Sequence, residues 1–193
     1  MRMKHEHTSG LSGHSHPMSE LFFAYAQLKN LYRQGWLKRG VSEVHCETVA
    51  EHSFGVALLG YIIAEEYRSD LDPTKVMMLG LFHEIGEIHV GDITPDDDVS
   101  RDEKTRDERR GVTSVFSHLA DPQKYITIWE EYELQKSPEA RFVKQIDSLE
   151  MALQARLYET LGYTGLDDFF TYVLERITDP DLTNILKDIL NAR

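Results

Sequence analysis

Two histidines and two carboxylates stand where a helical core is expected. His52 falls in the series His52, Val56, Leu59, Ile63, one face of a helix whose other members are apolar. His83 closes the series Val76, Leu79, Gly80, His83, and Glu84 follows it directly. Asp147 lies between Val143 and Met151 at four-residue spacing. The side chains of His52, His83 and Asp147 are expected to turn toward packed surface. A lone inward histidine is more often a hydrogen-bonded core residue than a ligand, and a lone inward aspartate usually finds an arginine or a backbone donor. Burying two carboxylates uncompensated costs on the order of several kcal/mol each, even after relaxation. One divalent cation would offset both charges. Two imidazoles and two carboxylates suit Zn, Co, Mn, Ni or Fe. Spacing alone leaves the core reading and the ligand reading open.

The elements that must hold these residues read as helices throughout. Ser19 is expected to cap a helix running to about Arg33, and Gly35 and Gly40 bracket a loop containing Trp36. Thr48-Val49-Ala50-Glu51 is a capping-box pattern opening a helix to about Arg68. Asp72-Pro73 starts another that reaches Gly86, proline costing nothing at the first helical position. An acidic loop over 86–99 follows, with a second capping box at Ser100 starting a helix to about His118. Asp121-Pro122, Ser137-Pro138 and Asp179-Pro180 repeat the cap-then-proline signal and predict helices near 122–135, 138–161 and 180–191. A short helix is expected over 167–177, and Gly162 suits a helix end. The expected fold is all-α, one multi-helix domain over 18–193. Residues 1–17, with His5, His7, His14 and His16 among Gly and Ser, read as a leader or disordered tail.

Composition narrows the function. A net charge of −12 argues against a nucleic-acid partner, because phosphate-backbone affinity needs a concentrated basic surface. It argues equally against docking on an anionic membrane, and no run reaches the ~18 apolar residues of a span. A small anionic substrate remains compatible, held by a few local cations or a metal. The single cysteine, Cys46, rules out an internal disulfide and is expected to be a small structural residue. A cytoplasmic location is the expectation. Asp96-Asp97-Asp98 reads as a solvated run rather than a second metal site, His89 and His118 as surface or packing residues, and Trp129 with Tyr132 as core or dimer packing.

Three segments carry a resemblance. They are Glu47-Thr48-Val49-Ala50-Glu51-His52-Ser53, then Leu81-Phe82-His83-Glu84-Ile85-Gly86-Glu87 with Val90-Gly91-Asp92-Ile93-Thr94-Pro95, then Phe142-Val143-Lys144-Gln145-Ile146-Asp147-Ser148-Leu149-Glu150. Their order resembles the HD phosphohydrolase superfamily, and together they are similar to its 5'-deoxynucleotidases over about residues 20–160. The resemblance implies a compact HD-type helical domain. It implies a homodimer that removes phosphate from deoxyribonucleoside 5'-monophosphates, with one divalent ion drawn from Co, Mn, Mg, Zn, Ni or Fe. It also implies that His52, His83, Glu84 and Asp147 hold the metal and that Glu87 handles the attacking water. Asp92 would lie near the sugar and scissile phosphate and could supply a proton. Arg33, helped by Lys38 or Arg39, would contact phosphate, with Trp36 near the sugar. Plainer readings stand beside these: Glu87 a solvated loop acid, Asp92 a turn cap, Arg33 a helix-end cation. The family carries Asp where this chain has Glu84. The consequence is altered metal preference, a weakened site or a dead one; metal retention is expected because every other element is present. The alternatives are a catalytically weak nucleotide- or metal-binding dimer and an HD hydrolase acting on nucleoside polyphosphates.

Overall fold

The computed structural model describes residues 16–94 and 97–193. Among these the regular elements are helices α1 (Pro17–Tyr25), α2 (Gln34–Lys38), α3 (Val49–Tyr67), α4 (Pro73–Phe82), α5 (Glu87–Val90), α6 (Arg101–Phe116), α7 (Pro122–Glu133), α8 (Pro138–Thr160), α9 (Asp167–Leu174) and α10 (Pro180–Asn191). The all-α expectation is borne out. Residues 1–15 of the expected leader, with His5, His7 and His14, lie outside the described residues, as do Pro95 and Asp96 of the acidic loop.

Most starts are set by the expected chemistry. Thr48 Oγ1 accepts the Glu51 N–H at 3.2 Å while Glu51 Oε2 accepts the Thr48 N–H at 2.7 Å, a complete capping box. The side chains of Asp72, Ser100, Ser137 and Asp179 likewise accept backbone N–H groups of the helices they open. Asp121 departs from the pattern and makes no side-chain cap bond.

The first helix is the clearest correction. Ser19 is not its cap; His16 Nδ1 accepts the Met18 N–H at 3.2 Å and Pro17 is already helical. Nor does the helix reach Arg33. It ends at Tyr25, passes through a 3₁₀ turn at Ala26–Asn30, and goes extended at Leu31. Backbone pairing outcompetes the helix there: the Val49 N–H donates to Leu31 O at 2.7 Å and the Arg33 N–H to Glu47 O at 3.1 Å, around an antiparallel bridge of Tyr32 with Thr48. Three further expectations shift: most of the stretch read as a loop between Gly35 and Gly40 is helix α2, α4 ends at Phe82 rather than Gly86, and the loop expected over 86–99 contains α5.

α8 is the central element, packed against α3, α4, α7, α9 and α10. Two apolar clusters flank the site. The larger includes Val56, Val76, Leu79, Val143, Ile146 and Leu149; the smaller includes Val49, Ile85, Val112, Phe116 and Trp129. α3 sends Val49 to one and Val56 to the other, and His52 lies between them. The α3–α4 contact is close because Gly80 carries no side chain: a Cβ there would stand 2.8 Å from Ala57 Cα. Gly80→Ala is expected to destabilise the fold by about 1–3 kcal/mol through overpacking. A denaturation midpoint equal to that of the parent chain would contradict this crossing.

Candidate metal centre

Three helices bring the polar residues to one point. His52 sits one turn into α3, fully buried. His83 follows the last residue of α4 and is also buried. Its Nδ1 hydrogen-bonds Gly80 O at 2.7 Å, which makes Nδ1 the protonated nitrogen and turns Nε2 to within 3.4 Å of His52 Nε2. Asp147, midway along α8, places Oδ1 3.2 Å from His52 Nε2. Its Oδ2 accepts from the Tyr132 hydroxyl at 3.0 Å and from Lys144 Nζ at 3.2 Å. Glu84 Oε1 lies 3.5 Å from His83 Nε2 and 3.4 Å from Arg33 Nη1.

One donor atom from each of His52, His83, Glu84 and Asp147 falls within 4.8 Å of the others. Donors on an ion at about 2.0–2.2 Å stand at most about 4.4 Å apart, so small side-chain movements close the set. The electrostatics fit as well. Burial and Arg33 work against a charged His52, yet Glu150 and Asp147 outweigh them and hold its pKa at about 10. A proton on His52 would supply positive charge among the carboxylates, and a divalent ion held by the same residues would supply it in the proton's place. Burial keeps His83 below its ordinary value. Burial alone would raise Asp147, but Lys144 and His52 hold it well below the usual carboxylate range. Glu84 is lowered to about 2 against the effect of burial, by His83, Arg33 and Lys104. The extra methylene of Glu84 has not carried its carboxylate away from the cluster.

The neighbours expected to act on substrate are partly gathered here. Glu87, on the first turn of α5, is 1% exposed, and its Oε2 has no hydrogen-bond partner. Burial, Glu84 and Asp92 raise its pKa well above the ordinary value. Arg33 reaches Asp92 Oδ1 at 3.3 Å as well as Glu84, and Asp92 Oδ2 accepts the Gln34 N–H. Trp36 is not brought to the cluster. It is 2% exposed, packs against Phe169 at a tilt, meets Tyr158 edge-on, and donates its indole N–H to Glu47 Oε1 at 2.8 Å. Lys38 pairs with Asp97 at 3.0 Å and Arg39 with Asp168 at 3.4 Å.

Sequence reasoning missed Tyr132, Lys144 and Lys104. Tyr132 packs in the core as expected, yet its hydroxyl binds a candidate ligand. Lys104 Nζ donates to Ile93 O at 3.1 Å and lies 3.4 Å from Glu108 and 3.7 Å from Glu87. Its four-residue spacing from Glu108 was the one available signal.

An all-helical domain that converges His, His-acid and Asp from three helices has the architecture of an HD-domain protein, and the HD domain family model matches residues 25–187. The chain is 35% identical over 171 residues to 5'-deoxynucleotidase HDDC2 of Danio rerio, covering 86% of this chain and 83% of that protein. It is 32% identical over 183 residues to 5'-deoxynucleotidase HDDC2 of Homo sapiens, covering 92% and 87%. The crystal structure of the PH0347 protein from Pyrococcus horikoshii OT3 superposes with a TM-score of 0.72 at 33% identity, over 91% of this chain and 97% of that one. This chain belongs to the HD-domain superfamily and, within it, to the HDDC2-like 5'-deoxynucleotidase family.

Proposed function

We propose that this chain hydrolyses deoxyribonucleoside 5'-monophosphates to nucleoside and phosphate, with one divalent ion held by His52, His83, Glu84 and Asp147. Glu87 carries the reading: its buried carboxylate, with one unpartnered oxygen, follows Glu84 by three residues and feels the charges of Glu84, Asp92 and Arg33. Such an oxygen is costly to bury without a partner, and a reacting water is a suitable one. The ion, when bound, supplies Lewis acidity that acidifies a water and offsets phosphate charge. Glu87 orients the water and takes its proton. Arg33 presents a guanidinium fork to the phosphate oxygens, giving up part of its pairing with Glu84 and Asp92. Asp92 uses both oxygens to hold Arg33 and the Gln34 backbone, so in this reading it shapes the phosphate subsite. A water then protonates the departing 5'-oxygen.

A monophosphate fits better than a polyphosphate, because the nearby cations Arg33, Lys104 and Lys144 are each already paired with carboxylates. Among the described residues no helix is long and apolar enough to cross a membrane. A cytoplasmic location accords with the lone buried Cys46. The test is phosphate release from a panel of deoxyribonucleotides and ribonucleotides with Co, Mn and Mg. An ion-loaded chain that releases phosphate from no monophosphate overturns the reading.

The partner in this reading is a second copy. Phe54, Leu58 and Ile62 recur every four residues on α3 at 62%, 46% and 48% exposure, beside Met77 and Leu81 on α4. Leu58→Glu is expected to turn a dimer into a monomer in light scattering, with the far-UV spectrum unchanged. A parent chain that is monomeric at micromolar concentration removes the dimer.

A further inference from the structure

His52 and His83 are oriented by different kinds of group. The Nδ1 of His83 meets a neutral backbone carbonyl, Gly80 O. The Nδ1 of His52 meets a carboxylate: Glu150 Oε2 at 2.7 Å, a distance typical of a charge-assisted bond. Glu150 is three residues after Asp147, so one turn of α8 supplies both carboxylates paired with this imidazole, Asp147 at Nε2 and Glu150 at Nδ1.

The contact has a second, independent support in the backbone of α3. Gly55, three residues after His52, faces Glu150. A Cβ at position 55 would stand 2.7 Å from Glu150 Oε1 and 3.2 Å from its Cγ. A glycine inside a helix costs about 1 kcal/mol relative to alanine, and here its lack of a side chain makes the room Glu150 occupies. Behind Glu150 lies a cavity of about 420 Å³, also lined by Glu47, Glu51, Gly55 and Gln154. Water there can solvate the carboxylate from the side away from the imidazole.

We infer that Glu150 is the positioning residue of the metal centre: seated against Gly55, it holds the proton of His52 on Nδ1 and so presents Nε2, as an electron-rich donor, to the ion. This deepens the metal reading above and rests on it. Carboxylate partners of ligating histidines typically change metal affinity by about 10–100-fold when removed. His83, with only a carbonyl behind it, is the less electron-rich of the two imidazoles.

The test uses the full chain and Zn²⁺ alone, a diamagnetic probe. Chelator competition gives the dissociation constant for the parent chain, Glu150→Gln, Gly55→Ala and His52→Ala. Glu150→Gln and Gly55→Ala are expected to weaken Zn²⁺ about 10–100-fold, and His52→Ala to abolish its binding at this centre. Long-range ¹H–¹⁵N spectra of the Zn²⁺-loaded parent chain are expected to show His52 protonated on Nδ1 and bound through Nε2, a readout that needs no variant to fold. A parent chain that binds Zn²⁺ with His52 protonated on Nε2, or a folded Glu150→Gln that binds as tightly as the parent, overturns the positioning role and leaves the metal reading standing. A parent chain that takes up no Zn²⁺ overturns the metal reading and this inference with it.

Discussion

Asp147→Asn is expected to empty the centre of its ion and lower kcat/KM by about 10³-fold or more, a loss of about 4 kcal/mol in transition-state stabilisation. The substitution keeps the shape of the side chain and removes its charge. Tyr132 and Lys144 both donate to Asp147 Oδ2, and an amide can accept from only one of its two positions. Two measurements separate loss of the ion from loss of the fold. Metal content by mass spectrometry should drop from one ion per chain to none. Thermal unfolding should cease to respond to added metal. In the parent chain an ion at a hundredfold over its dissociation constant adds about 2.7 kcal/mol, or roughly 5–10 °C for a domain of this size. An Asp147→Asn chain that retains stoichiometric metal and full turnover removes Asp147 from the ligand set.

Glu87→Gln is expected to separate binding from chemistry. The ion should stay bound with an affinity within a few-fold of the parent, while kcat falls by about 10²–10⁴-fold and KM changes little. Glutamine fills the same buried space but accepts no proton from water. Stability should move in the opposite sense to activity. Glu87 is raised above its ordinary 4.5 by burial, Glu84 and Asp92. Between 4.5 and the folded value, the unfolded metal-free chain has released the proton and the folded one has not. Stability of the parent therefore falls as pH rises through that window. Glu87→Gln escapes the loss, so its advantage over the parent grows with pH above 4.5. A Glu87→Gln enzyme with kcat within threefold of the parent would make Glu87 a packing residue.

How far the site was readable depended on whether its determinants lie on one helix or between several. His52 and Asp147 declared themselves through periodicity, because each interrupts an apolar stripe on its own helix. The capping box at Thr48 fixed where α3 begins and therefore which way His52 points. The path of residues 26–33 was not legible: Ala26-Gln27-Leu28-Lys29-Asn30 suits a helix locally, and only pairing with a segment some fifteen residues later draws Leu31 and Tyr32 out of it. Trp36 shows the same limit. Its place in the motif suggested the sugar, but Phe169 and Tyr158, more than a hundred residues on, make its pocket a core. Glu84 was legible as a departure from the family, but not in its effect. Its reach to Arg33 and His83 depends on the turn between α4 and α5. The grip of Lys104 and Glu108 on the same region depends on Gly86 and Gly111, whose missing side chains let α6 close on that turn.

The position of Asp147 on α8 has a mechanical consequence. α8 is the helix on which α3, α4, α7, α9 and α10 all lean, so the carboxylate proposed to grip the ion is attached to the domain's main strut. Loosening the coordination of that ion and loosening the central helix would then be one event. Amides in the middle of α8 should exchange only through openings that also release the metal, and chelation should speed their exchange together with that of α3. With the proposed ion bound, the metal would be part of the framework as well as a reagent, and a chain kept short of it is expected to lose stability along with activity.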